Sequence, residues 1–408
     1  YGVPQVADTD RSQAPHVTGP KSLPATHASR STALPRLVPG QAGMPTAIAA
    51  HFAIPSPIGR IEPLGRGLIN DTFRLESAGR HYVLQRINGA VFPRPARIMA
   101  NLQVLQDHLA EQEPPIPRLP ALMPTAAGIP GLEDEDGGCW RLQEFIQDAV
   151  TLERIADLDQ AHQVGAILGC FHRATAALPV GRLGVSLPGF HDTPAYLRTL
   201  LRRLDRAPTP DPGLIDCLDF VRARIALVAV LDRARRSGAI PLRVTHGDPK
   251  LDNILFARDT GRALALIDLD TVQPGLLLHD IGDCLRSCCN RGGEQSDAPS
   301  GAGFDLDICD GILGGYVASN PDLLCQAEIA LIYEGIRLLP FELGLRFLAD
   351  HLDGDRYFRV TRQGDNLRKA HVQFALVADI EHQAESIERL VRRHFGSPDR
   401  APGHRQSD

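Results

Sequence analysis

Apolar residues follow two rhythms along this chain, a strand period in its first part and a helical period after it. Ile61 to Leu64, Thr72-Phe73-Arg74-Leu75 and Tyr82-Val83-Leu84-Gln85-Arg86-Ile87 read as strands, and the Ser77-Ala78-Gly79 turn joins the last two as a hairpin. A further strand pair is predicted to flank the acidic turn Glu133 to Asp136, closing on Trp140 to Ile146. A short helix is predicted from Pro45 through Ile48, Ala49, Phe52 and Ile54. Another carries the face Ile98, Leu102, Leu105 and Leu109, opened by Pro93 and Pro95 and closed by Pro114-Pro115. Beyond residue 150 helical spacing dominates: Leu158 to Leu178, Ile215 to Ala234, Leu323 to Leu352 and Ala370 to His394. Two short apolar strands interrupt it within Leu242 to Leu269.

The pattern predicts a strand-rich lobe over 47–146 and a larger helical lobe over 147–395, a division of usual domain size. Residues 1–46, rich in Pro, Ser, Thr, Ala and Gln, read as a disordered tail, 396–408 as a second tail, and Asp297 to Gly303 as a mobile loop. The 408 residues are 43% hydrophobic and 23% charged, ordinary globular values, and the net charge of −6 argues against a general nucleic-acid binder. No apolar run reaches membrane-spanning length, and the first residues lack the apolar core of a secretory signal. Eight cysteines (139, 170, 217, 284, 288, 289, 309 and 325) form no C-x-x-C pair or zinc spacing, so the expectation is reduced thiols in a cytoplasmic protein.

The chemistry concentrates in His246-Gly247-Asp248-Pro249-Lys250-Leu251-Asp252-Asn253 and in Ile267-Asp268-Leu269-Asp270-Thr271, whose Asp268 stands fifteen positions after Asn253. A strand ending in a loop with one carboxylate, an amide five residues on and a second strand bringing more carboxylates is the inventory of phosphoryl transfer. Asp248 is assigned to orient the acceptor hydroxyl and take its proton. Asn253 and Asp268, with Asp270 as a further contributor, are assigned to Mg²⁺ against the phosphates of a nucleotide. Lys250 either touches the transferred phosphate or pairs with a nearby carboxylate, and His246 and His172 are read as structural. Upstream, Leu64-Gly65-Arg66-Gly67 between two strands offers backbone amides to phosphates, with Arg66 adding charge.

H-G-D-x-x-x-x-N resembles the catalytic loop of protein kinases in the form carried by aminoglycoside phosphotransferases and choline kinases. The resemblance implies an α+β, two-lobed protein-kinase-like fold whose hinge, Gln143 to Ile146 with Glu144 and Ile146 as the named contacts, reads the adenine edge through its backbone. Gln85 stands where protein kinases carry the phosphate-binding lysine, and the helix after it offers no glutamate partner. Either Gln85 meets phosphate as a neutral donor or another cation takes over.

Gly67-Leu68-Ile69-Asn70-Asp71-Thr72-Phe73, Val83-Leu84-Gln85-Arg86-Ile87-Asn88, Leu187 to Thr193, Asp280-Ile281-Gly282-Asp283 and Leu345 to Phe358 resemble one branch, the N-acetylhexosamine 1-kinases. That resemblance implies transfer from ATP to the anomeric hydroxyl of an N-acetylated amino sugar, with Arg346 and Tyr357 reaching the sugar. On spacing alone Arg346 reads instead as a salt-bridge partner of Glu342 or Asp350. Leu68 departs from that branch, which carries histidine there. His191 is read as a cap or brace at the helix opening on Thr193-Pro194, and Asp280 and Asp283 as anchors of backbone or extensions of the metal site. The competing readings are a kinase for homoserine, choline or an aminoglycoside, and a nucleotide-binding pseudokinase scaffold. No membrane or nucleic-acid partner is expected.

Overall fold

The computed structural model describes residues 34, 45–65, 69–113, 116–205, 212–293, 298–358 and 360–396. Most of both expected tails, part of the expected loop after residue 293, and Arg66, Gly67 and Leu68 of the glycine turn lie outside the described residues.

Strands β1 (Ile58–Pro63), β2 (Asp71–Ser77), β3 (Arg80–Ile87), β4 (Leu122–Met123), β5 (Leu132–Glu133) and β6 (Cys139–Glu144) form one antiparallel sheet in the order β1-β2-β3-β6-β4, with β5 also on β6. The β2–β3 hairpin turns at Ala78 and Gly79, both at positive φ, which holds Ser77 opposite Arg80. One face of the sheet (Leu75, Tyr82, Leu84, Trp140, Leu142) packs on Ile48 and Ala49 of α1 (Pro45–Ala49) and on Phe52. The expected first helix ends at Ala49, because Phe52 leaves the helical path to bridge to Thr125. Helix α2 (Pro95–Leu109) joins the larger core through Ile98, Met99, Leu102 and Leu105.

The helical part contains α3 (Leu158–Thr175), α4 (Thr193–Leu204), α5 (Pro212–Arg222), α6 (Val230–Arg236), α7 (Leu277–Cys288), α8 (Leu306–Ser319), α9 (Gln326–Ala330), α10 (Ile332–Leu352), α11 (Asp365–His382) and α12 (Ala384–Phe395). The remaining strands are short. β7 (Ala149–Val150), β9 (Ile254–Ala257) and β10 (Ala263–Leu266) make one ribbon, and β8 (Arg243–Thr245) pairs β11 (Gln273–Gly275) in another. Three helical stretches that periodicity reads as continuous are broken, at Ala223–Ala229, at Leu331 and at Gln383. None of the breaks carries Gly or Pro. At the first, Arg224 turns over the Phe220 ring to pair with Glu381 of α11 at 2.6 Å. At the last, Gln383 donates to the carbonyl of Phe304 and to Asp379.

Helices α3 and α8 cross with backbones nearly touching. A Cβ on Gly165 would stand 1.9 Å from the carbonyl oxygen of Ile312, and one on Gly315 1.8 Å from that of His162. Gly165→Ala is therefore expected to force the helices apart and cost about 3 kcal/mol, the upper end of overpacking, read as a lower urea midpoint. An unchanged midpoint would show that the crossing is looser than drawn. Among the described residues no helix is long and apolar enough to cross a membrane. No cysteine forms a disulfide, and burial with the nearby Glu133 carboxylate pushes the Cys139 thiol up to about 12.

Candidate active site

The loop between β8 and β9 holds the first motif. Its backbone is fixed from below by Asp280 of α7, which accepts the amides of His246 (2.7 Å) and Gly247 (2.8 Å). Asp280 is positioned in turn by Nε2 of His172 (2.9 Å), whose Nδ1 accepts from the Tyr316 hydroxyl at the same distance. His246 donates from Nε2 to the carbonyl of Ile267, joining the loop to the strand that delivers the second motif. Both histidines are thus structural, and Asp280 anchors backbone, as the sequence suggested. Gly247 is required twice over: its φ is +89°, and a Cβ there would lie 2.8 Å from both Cβ and the carbonyl oxygen of Thr271.

From this base Asp248 meets Nζ of Lys250 at 2.6 Å and the side-chain amide of Asn253 at 3.0 Å. Burial works to raise the Asp248 carboxyl, but the Lys250 ammonium outweighs it and holds the group below its usual range. Of the two sequence readings of Lys250, the structure shows the carboxylate pair, with Asp248 as the partner. Asn253 spends its NH₂ on Asp248, through both the side chain and the main-chain carbonyl.

Asp268 follows β10 in the left-handed region, φ 59°, a conformation that aspartate tolerates better than most residues and that recurs at functional sites. Its side chain is open to solvent, yet the protein around it and the carboxylate of Asp270 push it up to about 7. The charges of Lys250 and Asp248 also reach it. Asp270 differs sharply. Its carboxylate is 2% exposed and meets Nη1 of Arg141 at 2.5 Å and Nδ2 of Asn70 at 2.8 Å.

Arg141, itself 1% exposed, is the residue the sequence reading missed. It lies opposite Gln85 in the β3–β6 register, and the Gln85 side-chain oxygen accepts from its Nε (2.9 Å) and Nη2 (2.7 Å). Gln85 then donates to the Thr72 hydroxyl. Gln85, at the place of the missing lysine, thus holds a cation from the adjacent strand rather than being one. Only strand register brings the two together; nothing in the spacing of 85 and 141 marks them as a pair. Asn70 also accepts the amide of Asn88, tying the end of the glycine turn to β3.

The expected magnesium ligands can be tested against this geometry. Among the described residues no cluster of three or more His, Cys, Asp or Glu is arranged to hold a metal. An open, crowded carboxylate at Asp268 and an amide at Asn253 fit the sparse oxygen set magnesium uses beside phosphates. Asp270, with one oxygen on Arg141 and the other on Asn70, stands behind that set. At the glycine turn Gly65 has φ +71°, and the neck is closed by the Leu64 amide on the Thr72 carbonyl at 2.9 Å. At the expected hinge Glu144 pairs with Arg118, and Ile146 is buried with its amide bonded to no backbone carbonyl among the described residues.

A second group of side chains gathers around Arg346 on α10. Its guanidinium carbon lies 5.3–6.0 Å from the ring centres of Phe190, Tyr196, Tyr357 and Phe358, and the charge of Asp248 reaches it. Neither sequence-suggested ion pair forms. Glu342 is taken by His191 (2.9 Å) and Thr193 (2.5 Å). Asp350 accepts the amides of Arg356, Tyr357 and Phe358, which shapes the turn presenting Tyr357 beside Arg346. Asp192, rather than His191, caps α4.

The profile of the phosphotransferase enzyme family matches residues 60–311, more than half of the chain. The chain belongs to this family. The solved structures similar to this phosphotransferase share its two-lobed protein-kinase-like fold. An aminoglycoside phosphotransferase from Alicyclobacillus acidocaldarius is 18% identical with a TM-score of 0.57, over 84% of this chain and 97% of its own. The microcompartment-associated aminopropanol kinase gives 17% and 0.58, over 83% and 96%. A choline kinase from Cryptosporidium parvum gives 13% and 0.54, over 83% and 93%.

Proposed function

We propose that this phosphotransferase moves the γ-phosphate of ATP onto a small-molecule hydroxyl, and that the acceptor is the anomeric hydroxyl of an N-acetylhexosamine. The observation that carries the reading is the shared charge network of Asp248, Lys250, Asn253 and Asp268 on two joined segments. Asp248 stays ionised at neutral pH and accepts a hydrogen bond from the incoming hydroxyl. A loose phosphoryl transition state asks more for orientation than for a strong base, so a low-lying carboxyl suits the task. Lys250 fixes the carboxylate and brings positive charge toward the transferred group. Asp268 and Asn253 would hold Mg²⁺, which when bound neutralises charge on the phosphates. The backbone at Gly65 faces the phosphates in this reading, while the main chain at Glu144 and Ile146 meets the base.

The acceptor class rests on Arg346 and its rings. A guanidinium among four aromatic rings, without a carboxylate at ion-pair distance among the described residues, offers donors to sugar oxygens and flat apolar faces to the sugar's C–H side. Its unneutralised charge weighs against a cationic acceptor such as choline or an aminoglycoside. The test is ADP release over a panel of sugars, amino alcohols and aminoglycosides. N-acetylglucosamine or N-acetylgalactosamine is expected to stimulate it, and Arg346→Ala to raise the KM for that sugar about 10–100-fold with the ATP KM unchanged. Stimulation by amino alcohols alone would overturn the sugar assignment, and stimulation by nothing in the panel would favour a nucleotide-binding scaffold.

A further inference from the structure

His191 faces two acceptors at once. Its Nδ1 lies 2.9 Å from Oε1 of Glu342 and its Nε2 3.0 Å from the carbonyl oxygen of Gly247. A neutral imidazole carries one N–H and can satisfy only one of them; the imidazolium satisfies both. His246 and His172 differ, each placing one ring nitrogen on an acceptor and the other on a donor. His191 is held in place by its neighbours. Its backbone is left-handed at φ 56°, and its ring lies between Phe190 (4.0 Å between centres) and His279 (4.6 Å). Phe190 is also one of the rings around Arg346, so a single side chain connects the Arg346 aromatic group with the loop that carries Asp248.

We propose that His191 is a positioning residue for the catalytic loop, working as an imidazolium that ties Glu342 of α10 to the Gly247 carbonyl and thereby sets Asp248 against the acceptor. This rests on the kinase reading above. The charged neighbours favour that state from each element packed on the ring. Glu342 faces it from α10 and Asp283 acts on it from α7. His279, also on α7, cannot share the charge, since burial and His191 itself push it down to about 3. Asp280 lies beyond His279, committed to the loop amides, and Asp192 is turned to its helix cap. Arg346 lies across the Phe190 ring and Asp248 follows Gly247 in the chain. Burial disfavours the charged ring, but Glu342 outweighs it and the His191 pKa is raised above its ordinary value. A raised histidine keeps its proton to higher pH, so the tie is complete below the usual histidine range and is lost as pH rises through the raised value.

The expected result for the wild-type enzyme, assayed with ATP and N-acetylglucosamine, is a kcat that falls on the alkaline side. Glu342→Gln moves that limb to lower pH. His191→Gln abolishes it and lowers kcat at neutral pH by about tenfold or more, with the ATP KM held. A purely structural side chain would lower thermal stability without moving the limb, and that outcome overturns the proposal. A second readout needs neither turnover nor a variant. Long-range ¹H–¹⁵N spectra of the resting wild-type protein at pH 6, below the ordinary histidine value, are expected to show both His191 ring nitrogens protonated; a neutral tautomer there refutes the tie even if the enzyme proves to use a different acceptor. Both nitrogens protonated with no turnover on any sugar would leave the tie standing and fault the acceptor assignment instead.

Discussion

Asp248→Asn is expected to lower acceptor phosphorylation by roughly two to four orders of magnitude while the nucleotide still binds. Asparagine keeps the shape of the side chain and its carbonyl oxygen, so the Asn253 contact and the loop built on Asp280 persist. What disappears is the negative charge proposed to draw the acceptor hydroxyl and receive its proton, together with the partner that neutralises Lys250. Release of ADP with saturating acceptor and fluorescence titration of the nucleotide separate the two effects. A large kcat loss with nucleotide affinity within a few-fold of wild type is the expected pair. Undiminished turnover would remove Asp248 from the reaction, and loss of nucleotide binding would place the residue in the phosphate site.

Arg141→Met is expected to destabilise the folded chain by about 3–5 kcal/mol, because it leaves the Asp270 carboxylate buried without its cation. Gln85 loses its partner as well, and its oxygen is left facing a thioether. The double variant Arg141→Met with Asp270→Asn is expected to recover most of that loss, since it removes the stranded charge as well as its partner. Urea denaturation of the four proteins in this cycle measures the coupling. Independent, additive losses would mean that the pair does not link the sheet to the segment that carries Asp268.

The parts of this molecule governed by local rules could be read from its sequence. The β2–β3 hairpin follows from alternation around Ser77-Ala78-Gly79, and α2 from the spacing of Ile98, Leu102, Leu105 and Leu109 behind proline. The H-G-D-x-x-x-x-N loop was legible because its residues sit next to one another in the chain. Arg141 was not. Its role depends on the β3–β6 register and on Asp270 arriving from far along the chain, and neither leaves a mark on the residues around it. For Arg346 the resemblance and the spacing pointed different ways, because its neighbours at four-residue spacing are carboxylates that the fold commits elsewhere. The helix breaks were hidden for a related reason: Arg224 and Gln383 leave the helical path for tertiary partners that propensity cannot anticipate.

Asp270 belongs to the segment that carries Asp268, yet its two oxygens are held by Asn70 at the root of the glycine turn and by Arg141 in the middle of the sheet. Such a rivet leaves Asn70, at the root of the turn, no freedom to lift away from the sheet. The open carboxylate two residues before the rivet is thereby held at a set bearing to the sheet.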